Sequence, residues 1–95
     1  MRLELSRRAQ ADLDDVRNYS VAQFGGDRAV AYLDTLESAF RRIVEFSDIG
    51  AVRPAVPPLT RSLGCQQHRI FYEVGGDTIL IIRILHKAMD VERHL

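Results

Sequence analysis

The side chains best suited to chemistry are three arginines, Arg61, Arg69 and Arg83, in the second half of the chain. If neighbouring strands gather their guanidinium groups, the cluster would bind a phosphate or a partner's carboxylate, because each group offers several fixed N–H donors. Ordinary surface salt bridges are the simpler interpretation, since thirteen acidic residues balance thirteen basic ones. Twelve of the basic residues are arginine and only Lys87 is lysine, which disfavours lysine-based catalysis.

The histidines and the cysteine give weaker chemical signals. His68, His86 and His94 are too scattered to predict a metal site, and we expect them to be structural. Cys65 and His68 could form a thiol and imidazole pair, but no third group is placed to orient them. Because Cys65 is the only cysteine, an intrachain disulfide is excluded and a reducing cytoplasm is expected. The sequence therefore predicts no metal and no cofactor.

A short series of elements must position these residues. Ser6 and Asp27 are the predicted N-caps of two helices, and the Gly25-Gly26 pair between them ends the first helix. So short a connection predicts that the two helices form an antiparallel hairpin. The predicted order is a strand at 2–5, a helix at 7–24, a helix from 27 to 46 or 47, a loop at 48–59, and strands at 61–65, 68–74 and 78–86.

This order predicts an α+β fold with a short N-terminal strand, an antiparallel two-helix hairpin and a three-stranded C-terminal antiparallel meander (β-α-α-β-β-β). Both faces of the last strand are apolar. Strict alternation would place Leu80, Ile82 and Ile84 on one face, and Ile79, Ile81, Arg83 and Leu85 on the other. The strand is therefore expected either to be a buried central strand or to be covered by a partner chain.

Composition limits the class of protein. The 95 residues are enough for a single domain, 1–95, and 46% hydrophobic with 27% charged residues is typical of a folded globular chain. The formal net charge is zero, so bulk charge does not indicate binding to nucleic acid. The N-terminus lacks the apolar stretch of a signal peptide, and Arg83 interrupts the longest apolar run. We therefore expect a cytoplasmic protein that makes no membrane contact.

Several motifs follow one another along the chain. They are Leu5-Ser6-Arg7-Arg8-Ala9, Ala11-Asp12-Leu13, Tyr19, Tyr32-Leu33, Gly50, Arg53-Pro54, Arg61, His68-Arg69-Ile70-Phe71-Tyr72-Glu73-Val74, and Ile82-Arg83-Ile84-Leu85-His86-Lys87-Ala88-Met89-Asp90. This ordered set resembles the ParE branch of the ParE/RelE toxin superfamily over essentially the whole chain. The resemblance is most specific over 70–74 and 83–90, and the family fold has the element order predicted above.

The resemblance implies the toxin of a type II toxin-antitoxin system. Such a toxin is neutralised by a cognate ParD-like antitoxin, whose disordered C-terminal segment folds onto it. ParE toxins poison DNA gyrase by docking and do not turn over a substrate, so the resemblance implies that the chain is not an enzyme. Operator DNA would be contacted only indirectly, through the antitoxin.

Two alternatives remain open. The first is a ribosome-dependent mRNA endoribonuclease of the RelE or YoeB type, for which Glu45, Arg69 and His86 would be the catalytic residues by resemblance. Against it, no lysine lies on the central strands and the chain has no net positive charge. The second alternative is a homologue that has lost toxicity and still binds its antitoxin.

Contact residues are predicted for both partners. The antitoxin should contact apolar and cationic side chains on the hairpin and the sheet. These are Leu13, Tyr19, Leu33, Arg61, Arg69, Phe71, Ile81 and Arg83. The target should contact the C-terminal part of the chain, because that part has both the basic bias and the family signature. Those residues are Arg83, His86, Lys87, Met89 and Asp90.

Overall fold

The computed structural model describes residues 1–53, 60–89 and 91–95, and only the backbone of 91 and 92. Two long helices and a five-stranded sheet make up most of this part of the chain. The elements are β1 (Arg2–Leu5), α1 (Arg7–Phe24), α2 (Gly26–Glu45), β2 (Ala51–Arg53), β3 (Thr60–Cys65), β4 (His68–Gly75), β5 (Thr78–His86) and a short α3 (Val91–His94). The predicted α+β fold is confirmed.

The start of α1 is fixed by a side chain that also contacts the sheet. Ser6 Oγ accepts the backbone N–H of Ala9 at 3.0 Å and donates to the carbonyl of Ile82 at 2.8 Å. The helix ends at Gly25, whose φ of 84° is favourable only for glycine. α2 then begins at Gly26 without a side-chain cap, so the predicted capping role of Asp27 is wrong. Asp27 lies instead in the first turn, where a negative charge suits the helix dipole.

The sheet has the strand order β1-β5-β4-β3-β2. β1 runs parallel to β5, and the other neighbouring strands are antiparallel. β2 was not expected, because its residues fall within the predicted loop at 48–59; residues 54–59 of that loop lie outside the described part of the chain. The helices pack on one face of the sheet, and Leu36, Phe40 and Ile43 of α2 are buried there.

A bulge in β5 changes which side chains face the helices. Phe71 pairs with Arg83, but Tyr72 pairs with Ile81, so Ile82 has no opposite partner. Strict alternation placed Ile81 and Ile84 on opposite faces, and this prediction is wrong. Both lie in the core beneath the helices, where they are 0% and 3% exposed.

The face of the sheet away from the helices is also partly apolar. Phe71 and Leu85 lie on it and are buried, and the guanidinium of Arg53 lies 5.8 Å from the centre of the Phe71 ring. β5 is therefore a central strand, hydrogen-bonded to β1 and β4 and buried largely by its own chain. The structure therefore agrees with the interpretation of this strand as a buried central strand, and not as a strand covered by a partner chain.

Candidate functional site

Arg83 belongs to a closed group of polar contacts, which we call the Arg83 cluster and define as Arg83, Asp12 and the backbone carbonyl of His94. Arg83 Nε donates to Asp12 Oδ2 at 2.7 Å, and its Nη2 donates to Asp12 Oδ1 at 2.8 Å. Its Nη1 donates to the His94 carbonyl at 2.8 Å, while Asp12 Oδ2 also accepts the N–H of Ile84 at 3.0 Å. The cluster therefore joins α1, β5 and the C-terminal segment.

The environment of the Arg83 cluster favours the ion pair. Both side chains are only about one-tenth exposed, at 11% for Arg83 and 12% for Asp12. The hydrogen bonds to Asp12 raise the pKa of Arg83 above its ordinary value, although burial opposes this shift. Arg83 was predicted to contact both the antitoxin and the target, but in this structure its donors bind within the chain.

The other two arginines lie apart from Arg83 and from each other. Arg61 Nη1 donates to the backbone carbonyls of Asp48 at 3.2 Å and Gly50 at 2.8 Å, which anchors the segment before β2. Arg61 pairs across the sheet with Tyr72 on the helix-covered face, whereas Arg69 lies on the opposite face. The three arginines therefore do not form the guanidinium cluster considered from the sequence.

A cleft of about 710 Å³ opens between the helical hairpin and one end of the sheet. Val16 and Tyr19 of α1 line one wall, and Ala31 of α2 lines the other. His68, the first residue of β4, and His86, the last of β5, lie opposite each other at its floor. The volume is in the range of small-ligand pockets, and the mostly apolar lining is suited to a side chain or helix of a partner.

Three side chains at the floor of this cleft contact one another, and we call Tyr32, His68 and His86 the histidine cluster. The Tyr32 hydroxyl is 2.5 Å from His68 Nδ1, and the two ring centres are 5.5 Å apart. The His68 and His86 rings meet edge to face with centres 5.4 Å apart. His86 Nδ1 also accepts the backbone N–H of Ala88 at 3.1 Å.

Burial shifts the protonation of two members of the histidine cluster. Desolvation lowers the pKa of His68 below its ordinary value, the neighbouring His86 lowers it further, and the charge of Asp12 opposes both effects. Desolvation raises the pKa of Tyr32, which the backbone N–H of Gln67 partly offsets. At neutral pH His68 is therefore an uncharged imidazole whose Nδ1 is already paired.

The predicted antitoxin contacts are distributed over several surfaces. Tyr19 is exposed and lines the cleft, while Leu13 and Leu33 are half-buried and line a second, smaller groove between α1 and α2. Phe71 and Ile81 are each 0% exposed. The predicted antitoxin contacts of these two side chains are therefore corrected, because both are buried and the folded chain does not present them to a partner.

The predicted target contacts centre on the turn after β5. His86, Lys87 and Met89 are exposed there, and Met89 N donates to the His86 carbonyl at 2.9 Å. His86 and Met89 also line the cleft. Asp90 lies outside the described residues.

The residues named for a ribonuclease are not brought together. Arg69 and His86 lie on opposite faces of the sheet, because Arg69 pairs with Leu85 and His86 pairs with His68. Glu45 is exposed at the C-terminal end of α2, whose other end lies near the cleft.

Among the described residues, no group of three or more His, Cys, Asp or Glu side chains is arranged to hold a metal ion.

The histidine cluster was missed from the sequence because its members are far apart in it. Tyr32 and His68 are separated by 36 positions, and both appear in the motifs quoted above without any sign that they touch. The hairpin register alone could not have found the pair, since counting from Gly75 opposite Thr78 without the bulge places Leu85, and not His86, opposite His68. Within the described ranges, neither long helix is apolar enough over its length to cross a membrane.

Comparisons with known proteins agree with the fold and the motifs. Residues 3–91 match the model of a family described as the ParE toxin of type II toxin-antitoxin system, parDE. The chain is 37% identical over 92 residues to Toxin ParE1 of Mycobacterium tuberculosis, covering 96% of this chain and 94% of that protein. It is 36% identical over 91 residues to Toxin ParE1 of Caulobacter vibrioides, with the same coverage.

A solved structure is similar over most of both chains. It is described as a chromosomal ParDE TA system from P. aeruginosa and superposes with a TM-score of 0.77 at 27% sequence identity. The match covers 90% of this chain and 95% of the other.

Proposed function

Because this chain belongs to the ParE family of toxins of type II toxin-antitoxin systems, we propose that it poisons DNA gyrase in the bacterial cytoplasm and is neutralised by a ParD-like antitoxin. It would act by docking, without catalysing a reaction, and would contact operator DNA only through that antitoxin. The observation that supports this proposal best is the apolar cleft beside the C-terminal turn.

The cleft is the surface we assign to the antitoxin. Tyr19 and Phe24 line it and are 63% and 56% exposed, which is a large apolar area to leave in contact with water. An amphipathic segment that folds on binding can bury such side chains, and this burial must exceed the entropy that the segment loses. Leu13 and Leu33, in the smaller groove between the helices, would extend the contact.

The exposed turn after β5 is the surface we assign to gyrase. Lys87 and Met89 project from it, and His86 and Met89 also line the cleft. A segment bound in the cleft would therefore cover part of the surface assigned to the target. This overlap provides a direct physical route to neutralisation, because antitoxin and gyrase could not contact His86 and Met89 at the same time.

The proposal is tested with purified protein, DNA gyrase and relaxed plasmid. We expect loss of supercoiling and accumulation of cleaved plasmid, with both effects reversed by the antitoxin. Lys87→Ala should weaken the effect, because it removes an exposed charge from the turn. Arg41→Ala is the matched control, since Arg41 is exposed on α2 and its guanidinium donates a hydrogen bond to the Ser38 hydroxyl on the same helix. Unchanged supercoiling at every toxin concentration would exclude gyrase as the target.

The histidine cluster is a specific reason to keep a ribonuclease as the second candidate. Two imidazoles and a phenol in one cleft could move protons during cleavage of a phosphodiester, although of the residues Glu45, Arg69 and His86 nominated by resemblance only His86 belongs to this cluster. Expression in bacteria separates the candidates. Filamentation with induction of the DNA damage response supports gyrase, arrested translation with cut messages supports the ribonuclease, and normal growth supports a homologue without toxicity.

A further inference from the structure

The docking proposal leaves the polar floor of the cleft without a role. His86 Nδ1 accepts the backbone N–H of Ala88, so the neutral ring has its proton on Nε2. His68 Nδ1 is paired with the Tyr32 hydroxyl, which leaves Nε2 as its other ring nitrogen. The Nε2 atoms of His68 and His86 therefore lie at the floor of an apolar cleft and have no hydrogen-bond partner in the described part of the chain.

The charged groups around this floor do not already neutralise it. Asp12 lies on the α1 wall, but its two oxygens accept three donors from Arg83 and Ile84. Arg28, on the α2 wall, is exposed and has no carboxylate partner among the described residues. The remaining titratable groups near the cluster are Asp15 and Tyr19 on α1, Cys65 on β3 and Lys87 after β5.

We propose that the histidine cluster is a carboxylate-binding subsite, which receives an acidic side chain from the antitoxin segment that docks in the cleft. This inference rests on the proposed function, because the antitoxin is its ligand. A carboxylate is purely an acceptor, so it complements the Nε2–H of His86 and the guanidinium of Arg28. The apolar part of the same segment would contact Val16, Tyr19 and Ala31.

His68 can take up a proton in this complex without losing its partner. The Tyr32 hydroxyl donates to Nδ1 when His68 is neutral and can accept from the same atom when His68 is charged. A bound carboxylate favours the charged imidazole, which burial otherwise disfavours. Binding should therefore be accompanied by proton uptake, and affinity should increase as the pH falls. A purely apolar segment would give the opposite trend, because it would bury His68 further.

The experiment is a calorimetric titration of the whole toxin with its cognate antitoxin at about pH 8, 7 and 6, which spans the ordinary histidine pKa of about 6.5. We expect the antitoxin to bind about three- to tenfold more tightly at the lowest pH, as linkage to one proton allows. His86→Gln and His68→Gln should each reduce this increase. His94→Gln is the matched control, since its side chain does not line the cleft, and it should keep the full increase.

Substitutions in the antitoxin complete the test. Each acidic residue of its docking segment is changed in turn to the amide, and one of these changes should remove the pH dependence. If His68→Gln fails to fold, the exposed His86→Gln and the antitoxin variants still decide the question. Tight binding that is independent of pH, or weaker at about pH 6, would overturn the carboxylate subsite while leaving the docking proposal intact. No binding at any pH would overturn both.

Discussion

Two polar groups of side chains lie at the same end of β5 and differ in how completely they are satisfied. In the Arg83 cluster, Asp12 accepts three hydrogen bonds and Arg83 makes a further one to the His94 carbonyl, with both side chains nearly buried. In the histidine cluster, His68 and His86 form a cross-strand pair three positions beyond Arg83 on β5, and the rings contact one another and also face an open cleft. The first group is complete within the chain, whereas the second retains ring nitrogens that have no hydrogen-bond partner among the described residues.

The contrast indicates which residues are suited to folding and which to recognition. A charged pair buried between α1 and β5 stabilises the arrangement of elements only while both partners are present. Rings that line an open cleft can exchange a contact within the chain for a contact with a partner at lower cost. Substitution of Arg83 should therefore lower toxicity by reducing the amount of folded protein. Substitution of His86 should lower toxicity by removing a contact with a partner.

The largest expected effect is that of Asp12→Ala. The substitution leaves the guanidinium of Arg83 buried without its carboxylate, so the free energy of unfolding should fall by about 3 kcal/mol or more. The measurement is urea unfolding of the purified protein. Asp14→Ala is the matched control on the same helix, because Asp14 pairs with Arg17 on the surface, where the two side chains are 44% and 52% exposed.

The control should cost about 0.5 kcal/mol or less, as exposed ion pairs usually do. Equal destabilisation by Asp12→Ala and Asp14→Ala would show that the Arg83 cluster is not a buried, closed group. It would then return Arg83 to the set of residues available to a partner.

The next effect concerns a second closed group, formed by the hydroxyl of Tyr72. This hydroxyl donates to the carbonyl of Ser47 at 2.8 Å and accepts the N–H of Gly50 at 2.8 Å. Tyr72→Phe leaves both backbone groups without that partner beneath a fully buried ring, so we expect a loss of about 2 kcal/mol in urea unfolding. A loss near zero would mean that water or another group replaces the hydroxyl.

Tyr32→Phe makes the corresponding change in the histidine cluster and should lower the free energy of unfolding by less. The Tyr32 hydroxyl contacts His68 beside the cleft, where water can take its place, so the expected loss is about 0.5 to 1 kcal/mol. The same urea experiment compares the two phenylalanine variants directly. If Tyr32→Phe were the more damaging, the histidine cluster would be a structural group, and its role in recognition would lose its basis.

The sequence was sufficient for the elements whose signals are local. Ser6 as a cap, the apolar period of α1 and the glycines at its end predicted the bounds 7–24 that the structure has. The strands at 61–65, 68–74 and 78–86 were each predicted to within one residue of their ends. β2 was missed because its three residues have no period of their own and are fixed by pairing with β3.

The candidate site was harder to predict, because it depends on register and on packing between distant segments. The bulge at Ile82 moves Ile84 into the core, and alternation along one strand does not reveal it. Arg83 was expected at the surface, yet Asp12, 71 positions earlier, binds it. Tyr32 and His68 likewise meet only because α2 lies over the start of β4. The resemblance supplied the family, whereas these contacts required three-dimensional structure.

The smallest expected effect is a dependence of stability on pH that originates in His68. Burial, followed by the nearby His86, lowers its pKa in the folded state, so the unfolded chain binds the proton first as the pH falls. The contribution is complete above the unfolded value of about 6.5 and is lost progressively as the pH falls below it towards the folded pKa. Urea unfolding at a series of pH values measures this loss, and His68→Gln should flatten the curve relative to the unchanged protein.

The antitoxin complex should reverse the sign of this dependence. In the free toxin, protonation of His68 opposes folding, whereas in the complex the proposed carboxylate makes the same protonation favourable. Acidification from about pH 7.5 to about pH 6, across the ordinary histidine pKa, should therefore destabilise the free toxin and strengthen the complex. If both respond in the same direction, His68 titrates as an isolated buried imidazole. The distinction between a closed and an open polar group would then rest on the Arg83 cluster alone.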